Sequence, residues 1–181
     1  MATPTQDVLT RVSTDATAKF IETYYAALQN ARSSLASFYV PTSSMPDGKS
    51  LPSITFNGNV LPDATALQSL FERQMPSAHY EVQCYDCHVL NANYPRAVDA
   101  PAAATTAAAA AGKNISILVS TNGYVRFGEA RDGKMRGFSE SVVLVPNEEA
   151  QLVQGARYQV RSHAGARRDW VIQSQNFRLV V

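Results

Sequence analysis

Two cysteines and two histidines lie close together in this 181-residue chain. Cys84 and Cys87 have the spacing of half a zinc site, with His88 directly after them and His79 shortly before. The surrounding pattern predicts a β-strand, in which residues three positions apart point to opposite faces. A tetrahedral zinc site also needs a second pair of ligands, which the sequence does not offer. We therefore predict buried thiols, with no metal and no cofactor.

The second candidate for chemistry is an acid and a base in the same predicted strand. Asp86 and His88 are two residues apart, so they share a face and could project into a cavity near Tyr24, as in a dehydratase or isomerase. We favour the alternative, a polar strand end at the surface, because unperturbed polar pairs are common. The sequence contains no nucleophile motif, phosphate-binding loop or metal cluster. We predict that the protein is not an enzyme.

A basic cluster lies in the polar segment near the C-terminus. The chain carries a formal net charge of only +1, which gives no general argument for nucleic acid as the main partner. We expect a solvated basic loop, with RNA contact as a secondary hypothesis. The candidate RNA-contacting residues are Arg157, Arg161, Arg167 and Arg168, and His163 lies among them.

The length and the termini indicate one soluble domain over residues 1–181. A chain of this size buries most of its apolar surface without disulfides or metals. The N-terminus lacks the basic start and apolar run of a signal peptide, and no stretch has the length of a bilayer span. We therefore expect an intracellular protein with reduced cysteines.

Three helices are predicted before the main sheet. Thr3 to Gln6 has the form of a capped helix start, and apolar residues at every fourth position from Val8 to Leu28 form one stripe. A short second helix is expected from about Arg32 to Tyr39, and a third from Asp63 to Met75. Before the third helix, Asn57-Gly58 between two apolar runs predicts a type I′ hairpin.

Four long strands are predicted to follow. The first is His79 to Leu90, and the next two form a hairpin within Asn114 to Val145, with Asp132-Gly133 at the turn. The last strand is Asp169 to Val181, which needs a bulge at Ser174 to Asn176 to align its two apolar halves. This order predicts an α+β fold with helices on one face of an antiparallel sheet.

The central hairpin carries apolar residues on both faces. Ile117 to Val119 and Val142 to Val145 place apolar side chains alternately on the two sides of the sheet. Helices cover one side, so the other side must pack against more of the chain or against another protein. On this basis Val143, Val145 and Trp170 are expected at a partner interface.

Two segments interrupt the strand pattern. The first, at about 91–113, is rich in alanine and has no apolar stripe, so we predict a disordered insertion. The second, at about 147–165, is a polar and basic insertion with one short strand at Arg157 to Val160.

Seven short strings occur in the order typical of one protein family and cover nearly the whole chain. They resemble the small subunit of the heterodimeric messenger-RNA export receptor, a member of the nuclear transport factor two-like family. The resemblance implies three N-terminal helices packed on a strongly curved antiparallel sheet that forms a cone. The strings are Phe20-Ile21-Glu22-Thr23-Tyr24-Tyr25, Phe56-Asn57-Gly58-Asn59, Met75-Pro76-Ser77, Asp86-Cys87, Gly123-Tyr124-Val125-Arg126-Phe127, Phe138-Ser139-Glu140 and Phe177-Arg178.

The resemblance also implies a function. Members of this kind are catalytically silent, need no cofactor, and pair with the corresponding domain of the large subunit, known as TAP or Mex. The pair carries ribonucleoprotein past Phe-Gly nucleoporins, which implies a protein of the nucleus and nuclear pore that shuttles to the cytoplasm. The family's equivalent of Arg178 pairs with an aspartate of the large subunit. The expected interface residues are Arg178, Val143, Val145, Trp170, Tyr124 and Arg126.

Two other functions share the implied fold and stay open. One is a homodimeric import carrier for the GTPase Ran, which needs an acidic, phenylalanine-lined mouth. The other is a small-molecule dehydratase or isomerase built on Asp86 and His88. Fold alone does not separate the three, because one fold supports many functions.

Overall fold

The computed structural model describes residues 4–45, 47–95, 111–128, 133–147 and 168–180, and within them the helices precede the long strands of a six-stranded sheet. The α-helices are α1 (Gln6–Asn30) and α2 (Ala64–Arg73), and a 3₁₀ helix spans Arg32–Phe38. The strands are β1 (Ser43–Ser44), β2 (Ser50–Leu51), β3 (Ser53–Phe56), β4 (Asn59–Leu61), β5 (Ala78–Asn91), β6 (Ser116–Phe127), β7 (Met135–Pro146) and β8 (Trp170–Val180).

Helix α1 is one continuous amphipathic helix of 25 residues. Its buried stripe includes Phe20, Tyr24 and Leu28, as the four-residue spacing predicts. The predicted cap at Thr3 is wrong by two residues. The hydroxyl oxygen of Thr5 accepts a hydrogen bond from the backbone N–H of Val8, which satisfies one of the free donors of the first turn.

Arg32 joins the ends of the two α-helices. Its guanidinium donates hydrogen bonds of 2.6 to 3.0 Å to four backbone carbonyl oxygens, which the last turns of helices leave without intrahelical partners. The predicted second helix is 3₁₀ in form. It starts at Arg32, the residue that caps the ends of α1 and α2. The four acceptors belong to Leu28 of α1, Phe71 of α2, and Met75 and Pro76 just after α2.

The sheet has the strand order β4-β3-β8-β7-β6-β5, and every neighbouring pair is antiparallel except β3 and β8. The predicted type I′ turn is confirmed by positive φ angles at Asn57 (49°) and Gly58 (84°). Asn57 also attaches this hairpin to β8. Its backbone N–H donates to the carbonyl oxygen of Phe177, and its side-chain oxygen accepts from the N–H of Leu179, both at 2.8 Å.

The central antiparallel hairpin is confirmed over the pairs from Ile117↔Leu144 to Arg126↔Met135. Its predicted turn at Asp132 lies outside the described residues. The predicted bulge in the last strand exists, but it lies slightly earlier. The register with β7 shifts between Ile172 and Ser174, so that Ile172 and Gln175 both face the helices.

The helices and the inner face of the sheet, meaning the face turned toward them, share one core. Phe138 of β7 lies near its centre at 2% exposure and stacks on Phe177 with ring centroids 5.5 Å apart. Its ring sits directly over Gly123 of β6, its cross-strand partner. A methyl group at Gly123 would meet the ring of Phe138 at 2.9 Å and the carbonyl oxygen of Glu81 at a still shorter distance.

Gly123→Ala is therefore expected to lower the free energy of unfolding by about 1–3 kcal/mol, because the added methyl overpacks a rigid backbone contact. Gly137→Ala is the matched control, since its added methyl would meet Val180 at no less than 3.4 Å. Urea unfolding followed by circular dichroism measures both variants. Equal stability of the two variants would contradict the packing argument.

Both predicted insertions fall mainly on residues outside the described ranges, at 96–110 and 148–167. Their described flanks are hydrogen-bonded. The N–H of Tyr94 donates to the carbonyl oxygen of Asn114 at 2.9 Å, and the N–H of Asn147 donates to that of Asp169 at 2.8 Å. Each insertion therefore leaves and re-enters the fold at neighbouring positions, and its disorder stays a prediction. None of the described helices has the length and hydrophobicity of a membrane span.

Candidate partner-binding face

The outer face of the sheet, opposite the helices, is the surface on which the predicted interface residues meet. It is built from cross-strand rows of alternate residues of β5, β6, β7 and β8. Its centre is polar, and apolar groups lie toward the two ends, so the predicted apolar character holds only there. The four rows are His88, Leu118, Val143 and Ser174; Asp86, Ser120, Ser141 and Asn176; Cys84, Asn122, Ser139 and Arg178; and Glu81, Tyr124, Gly137 and Val180.

Five of the six predicted interface residues lie on this outer face, and Val145, two residues after Val143 in β7, is the one of them that is buried. Tyr124 is 45% exposed and Arg178 is exposed, whereas Val143 and Arg126 are half-buried. Arg126 extends the face by one row, between His79 and Met135. In the described part of the chain, no carboxylate lies within salt-bridge distance of either arginine.

Trp170 lies on the inner face, opposite to the prediction, whereas Val145 lies on the predicted face but is buried. Trp170 packs against the core and lines a small cavity of about 70 Å³ together with Phe20 and Phe38. Side chains alternate between the two faces of a strand, so Trp170 faces the same side as Ile172, two residues later, which is a core residue. Val145 is paired with Val171 and is only 2% exposed, so it offers little surface to a partner.

One residue of the predicted basic cluster lies in the described part of the chain. The guanidinium carbon of Arg168 lies 3.5 Å from the centroid of the Phe38 ring, and its Nη1 donates to the hydroxyl of Ser37 at 2.9 Å. Burial lowers the pKa of Arg168. Arg168 is therefore packed on an aromatic ring and does not extend freely into solvent. The other members, Arg157, Arg161, His163 and Arg167, lie outside the described residues.

The cysteine and acid–base candidates lie on β5, an edge strand. Cys84 and Cys87 point to opposite faces as predicted, but Cys84 is exposed, so the prediction of two buried thiols is wrong. Asp86 and His88 form an exposed pair on the outer face, with 3.2 Å between Oδ2 and Nε2. They do not reach the interior near Tyr24. Among the described residues no group of His, Cys, Asp and Glu side chains has the arrangement of a metal site.

Sequence reasoning missed a buried polar cluster centred on Glu140 of β7. Glu140 is 2% exposed, and its two oxygens accept hydrogen bonds of 2.5 Å from the hydroxyl of Tyr25 and from Nε2 of Gln175. The available signal was the alternation of β7, which places Glu140 between Phe138 and Val142 on the inner face. A carboxylate at such a position is rarely buried without hydrogen-bonding partners.

The hydrogen bonds around Gln175 close a ring. Tyr39 donates to Oε1 of Gln175 at 2.5 Å, and Nε2 of Gln175 donates to the hydroxyl of Tyr24 at 2.6 Å. Because the Tyr39 hydroxyl gives its only hydrogen to Gln175, it can only accept in its contact with Tyr24. Tyr24 therefore donates to it at 3.0 Å. The second N–H of Gln175 donates to Glu140, so each hydroxyl and amide hydrogen of Tyr24, Tyr39 and Gln175 in the ring has an acceptor. The cluster links α1, the segment after the 3₁₀ helix, β7 and β8.

The electrostatics of this cluster indicate a structural role. Burial raises the pKa of Glu140, although the hydrogen bonds from Tyr25 and Gln175 oppose the rise. Burial also raises the pKa of Tyr24, Tyr25 and Tyr39, so these hydroxyls keep their protons. Both carboxylate oxygens of Glu140 already have donors, and the group has almost no solvent exposure. It is therefore not available as a general acid or base for a substrate.

Solved structures provide the comparison that decides the fold. A Mex67:Mtr2 complex with a bound Sac3N peptide matches with a TM-score of 0.71 and 25% identity, over 93% of this chain and 99% of the other. The Chaetomium thermophilum Mex67 NTF2-like domain complexed with Mtr2 matches with a TM-score of 0.71 and 26% identity, over 93% and 98%. The chain is similar to Mtr2. A structure of Mtr2 at 22% identity and a TM-score of 0.68, over 93% and 99%, agrees in fold.

The predicted resemblance to the nuclear transport factor two-like family is thus confirmed, and the chain has an Mtr2-like α+β fold. No protein-family model matches the sequence, and no curated protein matches it either. The Mtr2-like likeness extends over nearly the full length of both chains. It therefore includes the outer face of the sheet as well as the helices.

Proposed function

We propose that this chain is the small, non-enzymatic subunit of a heterodimeric mRNA export receptor, and that it binds the NTF2-like domain of a Mex67-like large subunit. The observation that carries the proposal is the end-to-end similarity to Mtr2 in structures of Mex67:Mtr2 complexes. The outer face supplies a surface of suitable character for such pairing. Four long strands contribute to it, and they present tyrosine, arginine and small polar side chains to the solvent.

The proposed contacts use the mixed chemistry of that face. Tyr124 provides a large amphipathic side chain of the kind enriched at interface centres. Arg178 and Arg126 suit carboxylates of the partner, because the planar guanidinium donates two parallel hydrogen bonds and keeps its charge when partly buried. Val143 adds apolar area beside Leu118. The serine and asparagine rows between them supply donors and acceptors for polar contacts.

Two observations support a non-enzymatic role. Asp86 and His88, the acid–base pair found in the sequence, point into solvent on the outer face. Glu140, the buried carboxylate, is saturated by Tyr25 and Gln175. The homodimeric Ran carrier is not favoured either, because it needs an acidic mouth. The described grooves beside Leu179 are lined by the basic residues Lys134, Arg136 and Arg178.

The wider setting follows from the same proposal. The complex would act in the nucleus and at the nuclear pore, shuttle to the cytoplasm, and meet Phe-Gly nucleoporins through the large subunit. RNA contact by Arg157, Arg161 and Arg167 is a secondary part of the proposal.

Coexpression with the NTF2-like domain of a Mex67-like protein tests the proposal. We expect the chain alone to self-associate, because its outer face stays open, and the coexpressed pair to sediment as a stable 1:1 complex. Ran is the control partner, and we expect it not to bind. A chain that stays monomeric at low concentration and does not bind the Mex67-like domain would contradict the proposal. Binding to Ran would favour the import carrier.

A further inference from the structure

Strand β5 forms an open edge of the sheet. In the described part of the chain it is hydrogen-bonded to β6 alone. Register shifts after Val82 and after Val89 bound a regular stretch, Cys84 to Val89, in which each residue has one partner in β6. Proline and lysine, which natural proteins use to block edges, are absent from β5. Such an edge is a template for one further strand.

The orientation of the free backbone groups follows from one hydrogen bond. The backbone N–H of Cys87 donates to Oδ1 of Asp86 at 2.8 Å, so it is not part of the ladder with β6. The N–H and C=O of a residue in an antiparallel strand point to the same side, and alternate residues share that side. Tyr85, Cys87 and Val89 therefore present their backbone groups to the open edge, whereas Asp86 and His88 bond to β6.

Asp86 covers the central donor of this edge. One carboxylate oxygen accepts from the Cys87 N–H, and the other lies 3.2 Å from Nε2 of His88. An added strand must take the Cys87 N–H away from the Asp86 carboxylate. A basic side chain on that strand would provide the carboxylate with a new partner as the amide is released.

The side chains define the chemistry of the added strand. Tyr85 (44% exposed), Cys87 and Val89 project on one side of the edge, and Cys84, Asp86 and His88 project on the other. The first set favours apolar neighbours, and Asp86 favours a cation. A second copy of the chain fits less well in the antiparallel register that sets Asp86 opposite Asp86, because two carboxylates then lie close together, and in the register that sets Cys87 opposite Cys87 it offers Asp86 a histidine and no lysine or arginine.

We propose that the Cys84–Val89 edge of β5 is a strand-addition site for an extended segment of another protein in which apolar and basic residues alternate. Asp86 keeps this edge closed until such a segment binds. The site does not depend on the proposed heterodimer, because it uses backbone groups at the edge of the sheet.

Amide hydrogen exchange of the full-length chain tests the closed state. The Cys87 amide should exchange about tenfold more slowly than those of Tyr85 and Val89, for which the described residues supply no side-chain acceptor. Asp86→Ala should remove this difference, whereas Asp86→Asn should keep most of it because the amide oxygen still accepts. Equal exchange at the three amides in the unmodified chain would overturn the assignment of Asp86.

Peptide binding tests the open state. The probe is a hexapeptide that alternates valine and lysine, and its control alternates valine and glutamate. The lysine peptide should slow exchange at Tyr85, Cys87 and Val89 about tenfold or more and leave Asp86 and His88 unchanged. The glutamate peptide should not, and Asp86→Lys should abolish the effect of the lysine peptide. Tyr85→Pro should also abolish it, since proline removes an edge donor without touching the β6 ladder.

Circular dichroism of each variant confirms folding, and the measurement is repeated on the complex with the NTF2-like partner domain. Protection by both peptides alike, or protection outside the three edge amides, would overturn the proposal. Concentration-dependent protection of the same amides without peptide would identify a second copy as the occupant and would also overturn it.

Discussion

Arg178→Glu is expected to weaken binding of the large subunit's NTF2-like domain by roughly 2–5 kcal/mol, which corresponds to about 30-fold to several thousandfold in Kd. Arg178 is exposed on the outer face, in the row of Cys84, Asn122 and Ser139. Among the described residues, no carboxylate forms a salt bridge with Arg178, so the charge of Arg178 is available to a partner. In the proposed pairing of Arg178 with a partner carboxylate, the variant would place two like charges in a desolvated interface.

The control for this prediction is Arg11→Glu, which makes the same charge change at an exposed position of α1, away from the outer face. Isothermal titration of both variants with the partner domain measures the difference. The circular-dichroism spectrum should not change, because Arg178 buries little within the chain. A compensating Asp→Arg change in the partner should restore affinity. Equal affinity of the two variants would show that Arg178 is an ordinary surface residue.

Glu140→Ala is expected to lower the free energy of unfolding by about 3–5 kcal/mol. The substitution leaves the Tyr25 hydroxyl and one N–H of Gln175 without an acceptor in a buried site, at about 1–3 kcal/mol for each group. It also leaves a cavity between β7 and α1. Glu140→Gln keeps the shape but turns an NH₂ group toward one of the two donors, so we expect a smaller loss, of about 1–3 kcal/mol. Urea unfolding at pH 7 measures both.

A comparison of wild type with Glu140→Gln at several pH values tests the protonation of the Glu140 carboxyl group. Burial raises the pKa of Glu140, so the native state binds its proton more tightly than the unfolded chain does. Stability contributed by this proton is present below the unfolded pKa of about 4.3 and is lost as pH rises through the higher native pKa. The difference in unfolding free energy between wild type and Glu140→Gln should therefore shrink over that pH range. A difference that grows with pH would show that the cluster lowers this pKa.

Local patterns in the sequence determined the elements of this protein. The stripe of α1, the Asn57-Gly58 turn, the central hairpin and the late bulge each depend on residues within a few positions of one another. Such short-range rules of periodicity, capping and turn chemistry act before any tertiary contact forms. The ordered strings that resemble the nuclear transport factor two-like family added the fold, and the similarity to Mtr2 agrees with them.

Tertiary structure decided which side of each element faces solvent and what meets in the interior. Cys84 is exposed because it lies on the outer face of an edge strand, and no local pattern sets strand order or decides which face the helices cover. Glu140, Gln175 and Tyr39 are far apart in sequence, and only the packing of helices on the sheet brings them within hydrogen-bonding distance. The parallel pairing of β3 with β8 likewise joins residues more than a hundred positions apart. Contacts of that kind depend on the whole chain, because closing a long loop gains nothing until the remaining elements are packed around it.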